Sequence, residues 1–205
     1  LTLPLENGMR GVQLDVAKSL DPDGWNATTM TLYSHCGTHM DAPRHFINEG
    51  AGIDQTPLAT CMGPAKLVDL TPVEPRELIT PSRLGAAADT IVAGDRILLR
   101  TDWSHRHGTP AWRDELPRID VSLAHWLVDH GVKLLGVEPP SVADVNQRDE
   151  LTTVHQILLE AGIVIVEGLT NLDKLSMKFF DFIVLPMRIP GCDGSPVRAV
   201  AVERQ

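Results

Sequence analysis

Long apolar runs are missing from this chain of 205 residues; none reaches the roughly 18 residues that a membrane-crossing helix needs. Basic residues are few: 18 Lys and Arg stand against 27 Asp and Glu, a formal net charge of −9. A surface of that sign repels a phosphate backbone, which excludes nucleic acid as a partner. Cysteine is scarce as well. Cys36, Cys61 and Cys192 are odd in number and far apart, so they form no disulfide framework, and a reducing cytoplasm is the expected setting. There is no internal repeat, low-complexity tract or linker, and no secretory signal pattern opens the chain. The first residue is Leu1 rather than Met, so a natural start upstream is expected. With 43% hydrophobic and 22% charged residues, the composition suits one soluble domain over 1–205 with a proper core.

What the chain does have is an unusual concentration of imidazole. Between Tyr33 and Phe46 it places His35, His39, Asp41 and His45. Neutral imidazole nitrogen and carboxylate oxygen are the donors that a borderline divalent ion such as zinc takes. The four-residue step from His35 to His39 would suit one helix face. However, Gly37 and Thr38 intervene, and Ala42-Pro43 biases the backbone towards extended geometry. Upstream, Thr29, Thr31, Tyr33 and His35 alternate with Met30, Leu32 and Ser34, which is strand period. His35 is therefore expected to leave a strand end, with His39, Asp41 and His45 on the turn and extended segment that follow. Cys36, inside the same run, reads as a small buried filler.

Further along, strands are expected over 65–70, 95–100, 133–137, 163–167, 181–185 and 197–202. One helix is expected over 122–130, capped by Asp120 and ended by Gly131. A second is expected over 151–161, capped by Thr152 or Thr153. Residues 74–84 read as a loop with a short helix broken at Pro81. Helix and strand alternate in the second half, so the class is α/β with a mixed sheet. Two further candidates are His155, on the second helix, and Glu167, at the end of the Ile-Val-Ile-Val strand. A carboxylate there is costly unless paired or metal-bound. Trp103 is expected in an apolar pocket wall, and His105 and His107 on an exposed turn.

The run His35-x-Gly37-Thr38-His39-x-Asp41-Ala42-Pro43-x-His45 resembles the signature of the metal-dependent cyclase-like hydrolases. That family includes bacterial kynurenine formamidases and isatin hydrolases. Val154-His155-x2-Leu158-Leu159-x2-Gly162-Ile163-x-Ile165-x-Glu167 is similar to its second motif. The resemblance implies a compact domain of swivelling β/β/α type and a likeness over most of the chain. It also implies two divalent ions, zinc first and manganese as the alternative. His35, His39, Asp41 and Glu167 would hold one, and Asp41, His155 and Glu167 the second. His45 would then be the general acid/base of an amide C–N hydrolysis on a small-molecule substrate, with a further ligand role as its competitor. A homodimer is the family expectation. The late segment Gly191–Pro196 also resembles a family segment and would bring Ser195 near the site. Formamidases of the family carry an N-terminal tryptophan, but the stretch from Leu5 to Val12 has none. The substrate therefore stays open between an aryl formamide and a cyclic amide such as isatin. Two other readings stand beside hydrolysis: a non-catalytic metal or small-ligand site, and a metal-dependent lyase or cyclase.

Overall fold

The computed structural model describes residues 1–204. Seven strands close into a barrel around an apolar interior. In chain order these are β3 (His39–Asp41), β4 (Met62–Asp69), β6 (Arg96–Arg100), β8 (Leu134–Val137), β9 (Val164–Glu167), β10 (Phe179–Pro186) and β11 (Gly194–Val202). Around the barrel the order is β10-β11-β3-β9-β8-β6-β4. β4, β6, β8 and β9 run parallel, while the pairs through β3, β11 and β10 are antiparallel. Outside the barrel lie β1 (Val12–Lys18) with β2 (Ala27–Leu32), and the short pair β5 (Leu78–Ile79) with β7 (Arg118–Ile119). The helices are α1 (Leu20–Asp23), α2 (Ala111–Asp114), α3 (Val121–Asp129) and α4 (Arg148–Glu160). Among the described residues no helix is long and apolar enough to cross a membrane.

Alternation along the strands sorts side chains between two cores. Leu98, Leu134, Val164 and Val166 point into the barrel with Met40, Phe182 and Val184. Ile97, Leu99, Leu135 and Ile165 point outward, where Leu123 and Leu127 of α3 and Val154 and Leu158 of α4 cover them. Burying each such side chain is worth about 1.5–3 kcal/mol, so the helices are held to the parallel side by apolar area. β3 follows the same parity. Met40 faces the interior, which turns His39 and Asp41 to the outer face, on the side that Ile165 and Glu167 share.

The α/β class with a mixed sheet agrees with expectation, as do the six strand positions within a few residues. Four details differ. The early strand stops at Leu32, so His35 stands on a loop three residues beyond it. α4 starts at Arg148 with Gln147 as N-cap, and neither Thr152 nor Thr153 caps it. Residues 74–84 contribute strand β5, and a 3-10 segment then runs over Pro81–Thr90. Strand β1, over Val12–Lys18, where no element was expected, is the fourth. Asp120 does cap α3, accepting from the Ser122 amide at 2.8 Å.

Candidate metal and catalytic site

The site lies between the outer face of β3–β9 and the inner face of α4. Strand pairing sets His39 directly opposite Glu167 and Asp41 opposite Ile165. His155 reaches down from α4. His39, Asp41, His155 and Glu167 are all buried, at 1–3% exposure. The Nε2 of His39 stands 3.2 Å from Glu167 Oε2. The Nε2 of His155 stands 3.4 Å from Glu167 Oε1 and 3.5 Å from Asp41 Oδ2. His35 approaches from the loop, with Nδ1 2.8 Å from Asp41 Oδ1. The structure thus brings all six expected residues together from two distant segments.

Backbone carbonyls fix the imidazoles. His39 Nδ1 donates to the Gly37 carbonyl at 3.0 Å, and His155 Nδ1 donates to the Leu151 carbonyl at 2.7 Å. A carbonyl can only accept, so the Nδ1 positions carry hydrogen and both Nε2 atoms are aimed at the carboxylates. Something positive must then sit between nitrogen and oxygen. Without a metal it is a proton. Burial opposes charge on His39 and His155, but Glu167 outweighs it and raises both pKa values. Burial likewise works to raise the Glu167 pKa, and the hydrogen bonds and charges of His155 and His39 overcome it and hold it well below the usual carboxylate range. Asp41 Oδ2 is buried with no hydrogen-bond partner at all. An orphaned anionic oxygen facing aimed imidazoles fits a divalent cation of nitrogen and oxygen preference.

His45 sits on the 3-10 turn Pro43–His45. Its ring stacks on that of His35, with centroids 3.8 Å apart, and meets Phe46 edge-on at 4.3 Å. Burial first, then the neighbouring His35 and His155, push its pKa down against the pull of Asp41. It is therefore a neutral base at neutral pH.

Asp193 was missed by sequence reasoning. Its Oδ2 lies 3.2 Å from His35 Nε2 and 3.7 Å from His45 Nδ1, so it touches both. The Gly-Cys-Asp-Gly turn was the only signal for it. Ser195, the residue expected there, is instead buried in strand β11, accepting from the Met187 amide and donating to the Pro196 carbonyl. Gly194 matters locally: an added Cβ would meet His35 Cε1 at 2.6 Å.

The cavity walls also differ from expectation. Trp103 is buried, its indole N–H donating to the Trp112 carbonyl and its ring covered by Arg106 at 4.5 Å. Trp112 takes the wall position instead, in edge contact with His107, which lines the same cavity rather than an exposed turn. His105 is exposed as expected. Cys36 is buried filler, also as expected. Glu138 is buried and accepts from the Thr101 amide and the Ser104 hydroxyl, anchoring the loop that leads to that wall.

Comparison with known proteins agrees with this geometry. The sequence model of a family described as putative cyclase matches residues 1–144. The kynurenine formamidase of Salinibacter ruber is 34% identical over 180 residues, which are 88% of this chain and 81% of that protein. The crystal structure of an isatin hydrolase bound to the product analogue thioisatinate superposes with a TM-score of 0.84 at 25% identity, over 95% of this chain and 82% of that one. A structure described as a potential metal-dependent hydrolase with cyclase activity gives 0.81 at 27% identity, over 100% and 96%.

Proposed function

Because the chain belongs to the cyclase family, we propose that it is a metal-dependent hydrolase of amide C–N bonds in small aryl formamides or cyclic aryl amides. The whole of 1–205 acts as one such domain. The observation that carries the reading is the buried, unpartnered Asp41 Oδ2, faced by an imidazole whose other nitrogen is locked to a carbonyl. His35, His39, Asp41 and Glu167 would hold one ion, and Asp41, His155 and Glu167 would hold a second. Zinc suits this donor set first and manganese next.

When bound, a divalent cation supplies Lewis acidity, polarising an acyl oxygen and making water nucleophilic near neutral pH. The protein's own groups do the rest. His45, neutral because burial lowers its pKa, takes a proton from the attacking water and returns it to the departing nitrogen. Asp193, 3.7 Å from His45 Nδ1, steadies the imidazolium in between. Gly37 and Leu151 carbonyls keep the His39 and His155 rings from turning. The planar walls of Trp112 and Pro110 receive the aryl ring.

The test is elemental analysis with turnover of N-formylkynurenine and isatin after loading with zinc or manganese. Hydrolysis of either compound, with bound metal, supports the reading; a loaded protein inert on both, or one that binds no metal, refutes it. A non-catalytic metal site has no use for the free imidazole of His45.

Three finer points belong to the same proposal. The protein works as a homodimer through the β1–β2 hairpin, which carries Val16 and Met30 on one face and Trp25 in the connection between its strands, at 78%, 65% and 57% exposure. All three stay exposed among the described residues, with only the Lys18 ammonium near the Trp25 ring, and apolar patches of this kind mark association. Its place is the cytoplasm, which suits three unpaired cysteines. Its partner is a small molecule.

A further inference from the structure

Two arginines that form no ion pair within 4 Å among the described residues line the opening over the imidazoles. A cavity of about 340 Å³ has His35, His39, Arg10, Arg113 and Trp112 in its lining. A hollow of about 160 Å³ reaches His45, His155 and Glu167 and has Arg10, Arg113, His35 and His39 in common with the first. Arg10 stands on the turn before β1, and Arg113 on α2, about a hundred residues later. The side-chain ion pairs of arginine in this structure belong to Arg83, Arg100, Arg118 and Arg204, and Arg96 is satisfied by carbonyls. Arg10 and Arg113 take part in none of these among the described residues. Asp114 shares the wall, but its carboxylate accepts from Asn146 at 3.4 Å and pairs with neither arginine.

The pair is electrostatically unfinished. Arg10 is exposed and Arg113 half-buried; burial first, then the charge of Arg10, lower the Arg113 pKa, while the nearby Asp114 and Tyr33 pull it part of the way back. Two guanidinium groups lining one opening repel each other, and a single carboxylate on the same wall, already bonded to Asn146, offsets only part of that; an entering anion would offset the rest. The rest of the chain carries a net charge of the other sign, −9 overall, so a local positive pair at the mouth is not a general property of the surface. A guanidinium fork matches a carboxylate in two hydrogen bonds, and no neutral group satisfies it as well.

We infer that Arg10 and Arg113 form a carboxylate clamp, which makes the hydrolase prefer an amide substrate that carries its own carboxylate away from the scissile bond. The inference rests on the hydrolase reading above and divides its two substrate classes: an anionic aryl formamide is favoured, a neutral lactam disfavoured. The ring lies between Trp112 and the imidazoles, with the charged group at the opening.

The experiment uses the metal-loaded enzyme with 3-formamidobenzoate and formanilide, which share ring and scissile bond and differ by one carboxylate. The ratio of their kcat/KM values should favour the benzoate. Arg113→Gln and Arg10→Gln should each lower that ratio about tenfold or more, through KM rather than kcat. Arg113→Lys, which keeps charge but loses the fork, should restore part of it. A ratio near one in the native enzyme, or one unmoved by both glutamine variants, overturns the clamp. Should neither compound be hydrolysed, turnover of N-formylkynurenine and isatin decides the hydrolase reading separately. Calorimetry with 3-aminobenzoate then judges the clamp: binding about tenfold weaker in Arg113→Gln sustains it, and equal binding overturns it.

Discussion

Unlike His39 and His155, His45 has no backbone carbonyl holding its ring among the described residues; it leans on His35 and faces Asp193. His45→Ala should therefore remove a proton carrier and leave the buried donors in place. We expect turnover to fall by about 10²–10⁴ with metal content unchanged, read by kinetics beside elemental analysis. The buried donors make a different prediction, for chelator-treated protein. His39 and His155 have raised pKa values, so their contribution is complete below the free-imidazole value of 6.5 and is lost as pH rises through the folded value. Glu167 is depressed from 4.5, so its contribution is present above that value and lost as pH falls. Metal-free protein should thus gain most from this cluster between pH 4.5 and 6.5, and its Tm should drop above that window. Metal-loaded protein should show the opposite trend on the alkaline side, because ligands bind as they lose protons. Scanning calorimetry across pH 5–9 checks both, and parallel curves would contradict the assignment. At this scale the sequence was most informative where chemistry is dense. The cluster His35, His39, Asp41 and His45 was legible because residue type and spacing are themselves the signal, whereas His155 and Glu167 joined it through the likeness of their segment to the family's second motif. Asp193, Arg10, Arg113 and Trp112 were not, because each is an ordinary residue on a turn or one-turn helix and gains meaning only from what lies opposite.

Among the elements, β3 has the greatest consequence for its length. Three residues supply two of the buried donors and one interior side chain, and join β9 to β11. Its position is held from the preceding loop by Thr38, whose hydroxyl donates to the Gly168 carbonyl at 2.6 Å and accepts from the Leu3 amide at 2.9 Å. Thr38→Val leaves both backbone groups unpaired, at a cost of about 1–3 kcal/mol. Gly168 is tied to the same place: φ is +67°, and an added Cβ would come within 2.5 Å of the Gly37 carbonyl oxygen. Gly168→Ala should cost at least about 1–3 kcal/mol through strain alone. Lower urea midpoints for both variants would show that the bracket holds, and unchanged midpoints that it does not. So short a strand, entered after Gly37 and left at Ala42-Pro43, has too few residues for a period-2 pattern, which is why it read as turn and extended chain. The β-branched run before Glu167 and the apolar stripe of α4 are longer and were legible, apart from the first turn of that helix. Arg148, Asp149 and Glu150 there are polar, and their helicity follows from sequence continuity with the packed face.

For the whole molecule, the class was legible and the closure was not. Alternation of helix and strand tells that a mixed sheet exists, but not that its ends meet. That depends on β10 pairing with β4 across more than a hundred residues. The hairpin outside the barrel belongs to this scale too. Met30→Asp with Trp25→Ser should convert the proposed homodimer to monomer, read by sedimentation equilibrium, while leaving the monomer's circular dichroism unchanged. A native protein that already sediments as a monomer would remove the proposal.

The antiparallel seam from β9 through β3 to β11 also orders events in time. His39 meets Glu167 and Asp41 meets Gly194 only after the chain between them exists. During synthesis, then, the histidine-rich stretch leaves the ribosome long before its counterparts and must wait with both edges bare. A nascent polypeptide arrested short of Gly194 should be open, sticky and unable to retain a cation, and competence should arrive late and all at once.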